Sequence, residues 1–239
     1  MAARFTPVLF VLVGLCFSAV PVHADVLALT GGHVVDVESG AIRRNAVVLI
    51  EDERITAAGS ADEAAVPDGA RRIDMRGRWL IPGLMNMHVH PGLVLPGDLA
   101  AELANETEAA LALRMASAVQ QMLHAGMTTV RIPGDSRHAD LALARSIDRG
   151  ESVGPRIYSS GEPLIITGGH GSKPGVLYAD GPYELIKQAR EQISLGAEWI
   201  KIRISGGLAT QGGSVAEALM TPEEIGAVID ASHRFGAKV

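Results

Sequence analysis

Residues 79–92 read Trp-Leu-Ile-Pro-Gly-Leu-Met-Asn-Met-His-Val-His-Pro-Gly, and the pair His88 and His90 within them organises the reading of the whole chain. The apolar lead-in of Leu80 and Ile81, the Pro82-Gly83 turn and the His-Val-His ending predict a strand entered from a tight turn. Residues two apart on a strand share a face. His88 and His90 should therefore point the same way, about 6 to 7 Å apart along the backbone, close enough for both imidazoles to reach one metal ion. Val89 would then face the opposite side as an apolar anchor. The plainer alternative is two histidines that alternate in a half-buried strand and ligate nothing.

The chain opens with Arg4, an apolar run from Val8 to Val20, and Val22-His23-Ala24 before Asp25. A positive start, an apolar stretch too short to span a bilayer comfortably and small residues at a cut site form the layout of an export signal over 1–24, with cleavage expected after Ala24. An uncleaved anchor is the alternative. Cys16, the only cysteine, lies in this run behind Leu15, where lipidation would need a small residue. The mature chain would hold no disulfide, so its stability must come from a core or a metal. A formal charge of −6 and the absence of any Lys/Arg run argue against nucleic acid or anionic lipid as a partner. A small-molecule substrate fits better; no membrane association is expected after cleavage, and the oligomeric state is not legible.

Residues 25–79 alternate β-rich runs (Val26 to Thr30, Val34 to Val37, Ala46 to Glu51, Arg54 to Ala58, Arg71 to Met75) with turn signals at Gly31-Gly32, Ser39-Gly40 and Glu51-Asp52-Glu53. They predict a small N-terminal β-sandwich segment with no chemistry of its own. Past His90 the period changes to about 3.6, with apolar Leu103, Ala110, Leu111, Met115, Ala118, Val119 and Met122 before Gly126. Strand, helix and glycine then recur: Met127 to Ile132, Ala139 to Arg149, Arg156 to Ser160, Pro182 to Leu195, Trp199 to Ile204, and a capped helix from Thr221 to Phe235. The returns at Gly126, Gly196 and Gly236, with a variant at Gly154, predict an α/β fold with a parallel sheet, and their even spacing favours a (β/α) TIM-type barrel. Four units fit between residues 80 and 239, and a fifth strand begins at Lys238-Val239.

Two further stretches carry candidate chemistry. In Trp199-Ile200-Lys201-Ile202-Arg203-Ile204 the isoleucines share one face and would pack under outer helices. Trp199, Lys201 and Arg203 share the other, inward face, where a lysine is costly unless neutralised or paired; snorkelling to solvent is the alternative. Ile165-Ile166-Thr167-Gly168-Gly169-His170-Gly171 is a glycine loop that lets backbone approach a ligand, or else an exposed loop with a surface histidine. His124, His138 and His233 are expected on the outer surface. No Gly-x-Ser-x-Gly elbow or P-loop is present.

Pro82-Gly83-Leu84-Met85-Asn86-Met87-His88-Val89-His90 resembles the first barrel strand of the amidohydrolase superfamily, with Met85 and Asn86 as departures where Ile or Val and then Asp are commoner. Thr167-Gly168-Gly169-His170-Gly171 and Ser205-Gly206-Gly207 resemble its dipeptidase-like and imidazolonepropionase-like branch. The resemblance implies two divalent ions, Zn²⁺, held by His88, His90 and a Lys201 that CO₂ has converted to a bridging carbamate, with Gly169 and His170 at the substrate. It implies hydrolysis of dipeptides or N-acyl amino acids by metal-activated water; a cyclic-amide hydrolase of the imidazolonepropionase type is the alternative. Family members carry an acidic residue just after the second strand; here the chain reads Arg131-Ile132-Pro133-Gly134-Asp135, so the roles of Arg131 and Asp135 stay open. The proton-shuttling aspartate is expected beyond Val239, and the sandwich is completed in the family by far C-terminal residues. Half a barrel has open edges, so the 239 residues alone are expected to be an inactive portion that at most binds metal.

Overall fold

The computed structural model describes residues 26–94, 99, 102–171, 177–207 and 214–239, in two units divided after Pro82. The expected export signal, 1–24, lies outside the described residues.

In the first unit, β1 (Leu27–Val35), β2 (Ile42–Glu51), β3 (Arg54–Ser60), β4 (Arg71–Asp74) and β5 (Trp79–Leu80) form one mixed sheet. Its order is β3-β2-β1-β4, and β5 also pairs with β1. β1 runs antiparallel to β2 and parallel to β4 and β5. Ala28, Val47, Leu49 and Ala64 form its buried cluster. These residues supply a single sheet; a second layer of the expected sandwich is not among those described. Gly31-Gly32 does not turn the chain. The strand passes through it with register shifts after Thr30 and Gly32, because Gly31 adopts φ +81° and absorbs an extra residue as a bulge.

The second unit alternates strands and helices: β6 (Leu84–Asn86), α1 (Glu108–His124), β7 (Met127–Ile132), α2 (Ala139–Asp148), β8 (Arg156–Ser159), α3 (Gly181–Ser194) and α4 (Pro222–His233). β6, β7 and β8 lie side by side in chain order, all parallel. The expected fourth strand follows β8 as irregular pairing rather than a regular ladder. Trp199 N–H donates to Ser159 O (3.4 Å), Leu164 N–H to Lys201 O (2.8 Å) and Arg203 N–H to Leu164 O (3.2 Å). Residue 199 in turn bridges Lys238 in parallel. Sequential parallel neighbours joined by helices are the repeating unit of a β/α barrel.

Apolar alternation explains the layering. Val130 and Ile132 of β7 and Ile157 of β8 bury against Leu111, Met115 and Val119 of α1 and Leu143 of α2. Ile200, Leu164, Leu185, Ala189 and Val228 form the next cluster under α3 and α4. Thr107 caps α1 by accepting from Ala110 N–H, so Leu103 falls outside that helix, in a 3₁₀ turn over Leu103–Asn105. Thr221 and Glu224 form the expected capping box of α4. α2 ends at Asp148, and the glycine behind it is Gly150 rather than Gly154: Gly150 (φ +70°) matches Gly126 (+92°) and Gly196 (+103°), each two residues past its helix. Ile204 departs from its expected place under the helices. It is 41% exposed, because there the backbone turns to accept from Leu219 and Met220.

Candidate metal centre

The regular strand stops at Asn86, two residues before the first histidine. The Asn86 side chain accepts from His88 N–H (3.1 Å), a local bond that replaces a ladder bond and ends the strand. An amide oxygen supplies this acceptor as well as the carboxylate common at the position. The chain nevertheless keeps following β7, with Val89 N–H donating to Arg131 O (3.0 Å). Val89 is buried in the α1/β7 cluster. His88 and His90 therefore emerge on the other side, as strand alternation predicted, although no strand extends to them.

The two rings converge. Their Nε2 atoms lie 3.1 Å apart and their centroids 5.0 Å. His90 Nδ1 lies 2.8 Å from Gly134 O; a carbonyl only accepts, so Nδ1 carries the proton and Nε2 keeps its lone pair. Two nitrogens bound to one tetrahedral zinc at about 2.0–2.1 Å would be about 3.3 Å apart, so the observed pair suits a single ion. Burial, and then the neighbouring His90, Lys201 and Arg131, hold His88 below the usual imidazole range. The shift favours the neutral ring, the form that ligates. Among the described residues no third His, Cys, Asp or Glu joins the pair.

Lys201 lies on the side of its segment opposite the buried Ile200 and the partly buried Ile202. Its charge is felt at His88. Burial, then Arg203 and Arg131, lower its ammonium pKa, so its free-amine form is more accessible than that of an ordinary lysine. Trp199 shares that face, with the Arg131 guanidinium 4.5 Å and Lys238 Nζ 5.0 Å from its ring centre. Arg131 Nε also donates to Met87 O (2.7 Å), tying down the backbone immediately before His88.

His170 comes to the same interior. Arg203 Nη1 donates to its carbonyl (2.9 Å), and burial, followed by Arg203 and Lys201, lowers its pKa. Its ring lies where a Cβ on Gly207 would stand, so that glycine of Ser205-Gly206-Gly207 is required for close approach. Gly169 is buried, and its N–H donates to Ile166 O (2.9 Å). His124 and His233 are exposed as expected. His138 is not a surface residue: it is half-buried and its Nε2 lies 3.0 Å from Gln192 Oε1.

Sequence reasoning left Arg131 and Asp135 without a role and did not single out Gly134, Arg114 or Glu106. Arg131 and Gly134 face the histidine turn only through β7 pairing, and Asp135 accepts from Gly92 N–H (2.9 Å). Arg114 and Glu106, eight residues apart across a helix cap, carry no local spacing signal.

Residues 79–239 match the model of the amidohydrolase family. The chain belongs to this family. This amidohydrolase is 30% identical to the ochratoxinase of Aspergillus niger over 223 residues, which cover 80% of the chain and 45% of that protein. It is 37% identical to the imidazolonepropionase of Micrococcus luteus over 126 residues, covering 52% of the chain and 27% of that protein. It is also similar to the crystal structure of a Xaa-Pro dipeptidase with bound methionine in its active site: TM-score 0.80, 27% identity, covering 89% of this chain and 55% of that one. The amidohydrolase chain thus spans about half the length of the ochratoxinase and of the dipeptidase.

Proposed function

We propose that this amidohydrolase is an exported, metal-dependent hydrolase of amide bonds in dipeptides or N-acyl amino acids, with His88, His90 and a carboxylated Lys201 holding two zinc ions. The observation that carries the reading is the 3.1 Å approach of the two Nε2 atoms, with the tautomer set by the Gly134 carbonyl. Divalent ions at such a site lower the pKa of a water and polarise a scissile carbonyl. The chain's own residues do the rest: Gly134 orients His90, Arg131 fixes Met87, and Arg203 holds the His170 loop against the place where substrate would lie. The lowered pKa of His88 favours the neutral ring, whose lone pair can ligate.

Similarity to a Xaa-Pro dipeptidase favours dipeptides, and the leader-like residues 1–24 favour export. Among the described residues no helix is long and apolar enough to cross a membrane, and the acidic balance points to a small-molecule substrate rather than nucleic acid. Among the described residues no third His, Cys, Asp or Glu joins the histidine pair; the reading includes the proposal that the 239 residues by themselves lack ordinary turnover. Similarity to an imidazolonepropionase supports a second reading, a cyclic-amide hydrolase.

The test uses the full-length protein with zinc, offered Xaa-Pro dipeptides, N-acyl amino acids and imidazolonepropionate. Dipeptide hydrolysis that a chelator abolishes and zinc restores is the expected result. Hydrolysis indifferent to chelation, or unchanged in the His88→Ala/His90→Ala double variant, overturns the proposal; turnover of imidazolonepropionate alone selects the second reading.

A further inference from the structure

The turn that follows the histidines, Pro91-Gly92, is gripped from two sides. On one side the Asp135 carboxylate accepts from Gly92 N–H (2.9 Å) and from Ser136 N–H (2.8 Å), while Asp135 N–H donates to Gly161 O (3.1 Å). The approach is so close that a Cβ on Gly92 would overlap the carboxylate. On the other side Arg114, on α1, donates Nη2 to Gly92 O (3.1 Å) and Nη1 to Pro91 O (3.5 Å). The same guanidinium is held by Glu106 through Nε (2.9 Å) and Nη2 (2.8 Å). This pair is partly withdrawn from water, with the Glu106 side chain only 9% exposed, so it is screened less than a surface pair. Glu106 is itself tied back, its carbonyl accepting from Arg137 Nη1 (2.6 Å). The neighbouring Met115 is fully buried, so α1 offers Arg114 a fixed platform.

Asp135 directly follows Gly134, whose carbonyl sets the His90 tautomer. Moving the Gly92 end of the turn therefore moves His90 and its acceptor relative to each other. We propose that Asp135 and the Arg114–Glu106 pair are positioning residues that clamp the Pro91-Gly92 turn and thereby aim His90 at the metal. This deepens the metal-centre reading and rests on it for its functional meaning, whereas the clamp itself exists without metal.

The experiment compares the full-length protein with Arg114→Lys, Asp135→Asn and, as a control, Arg145→Lys, whose arginine also donates to a carbonyl (Leu195 O, 3.0 Å) but away from this turn. Lysine keeps the charge at 114 and loses the fork that spans Glu106 and two carbonyls. Two readouts are taken: affinity for zinc ion alone, by chelator competition, and the nitrogen NMR signature of the His90 ring in chelator-treated protein. Zinc affinity should fall about 10- to 100-fold in Arg114→Lys and Asp135→Asn. Their metal-free His90 should change from one Nδ1–H tautomer to a mixture, while the control stays at wild type in both readouts. Both readouts unchanged in a folded Arg114→Lys protein overturn the clamp, whatever Asp135→Asn does to folding. If the wild type binds no zinc but the tautomer still shifts, the clamp stands and the metal reading falls.

Discussion

The His88–Gly92 turn and the Trp199–Ser205 segment present the two kinds of candidate ligand toward one interior of the second unit, yet they are held differently. The turn is fixed by contacts converging from elsewhere: Arg131 on Met87 O, Gly134 O on His90, Asp135 and Arg114 on Gly92. The segment is fixed by backbone bonds to Ser159, Leu164 and Lys238 and by Ile200 in the core. An imidazole lone pair is directional and belongs to one tautomer, so its donor ring must be aimed. A lysine reaches on four flexible methylenes, so it needs only the right face and partial burial. The same interior thus demands a network on one side and only a register on the other.

The comparison is most directly broken at the ligands themselves. We predict that His88→Ala with His90→Ala lowers zinc affinity by more than about 100-fold, beyond what loss of an outer partner costs, as read by equilibrium dialysis with metal analysis; retention of tight zinc would remove the turn from the site. Lys201→Met should reduce bound zinc from two ions per chain to one and leave the His90 tautomer unchanged, since the register side contributes no aim. Withdrawing CO₂ during metal loading should mimic that loss in the wild type. Disturbing the register itself, through Ile200→Ala, should cost about 2–5 kcal/mol of stability in urea unfolding. A cost below about 1 kcal/mol would mean that Ile200 does not anchor the segment.

A subtler test lies behind β8. Buried Asp140 accepts from Ser159 Oγ and from Gly161 N–H, and Ser159 is the residue whose carbonyl receives Trp199 N–H. Burial, opposed by the hydrogen bonds from Ser159 and the backbone, raises the Asp140 pKa. A raised carboxyl binds its proton more tightly folded than unfolded, so its contribution to stability is complete below the unfolded value of about 3.9 and declines as pH rises through the folded value. Asp140→Asn removes that titration. Relative to the wild type it should gain stability as pH rises from about 4 to about 7, as read by urea unfolding; a variant that loses stability relative to the wild type over that range would contradict the assignment. The smallest effect is expected at a helix end remote from the ligands, where Thr221→Ala should cost about 1 kcal/mol and leave zinc binding untouched.

Local patterning determined much of this protein. The His-x-His spacing, the Ile200/Lys201 alternation, the Thr221 capping box and the glycine that ends each helix are near-neighbour effects, where a period of two or 3.6 assigns a face before any tertiary contact forms. Only the tertiary structure decided how the face becomes a site. β7 pairing brought Gly134 and Asp135 to the histidines, and α1 packing delivered Arg114 to the Pro91-Gly92 carbonyls. The close Gly207 approach seated His170, and the bulge at Gly31 turned an apparent loop into strand. Hydrogen bonds between residues some 20 to 44 positions apart leave no periodic trace, because their partners are set by the packing of whole elements rather than by neighbours along the chain.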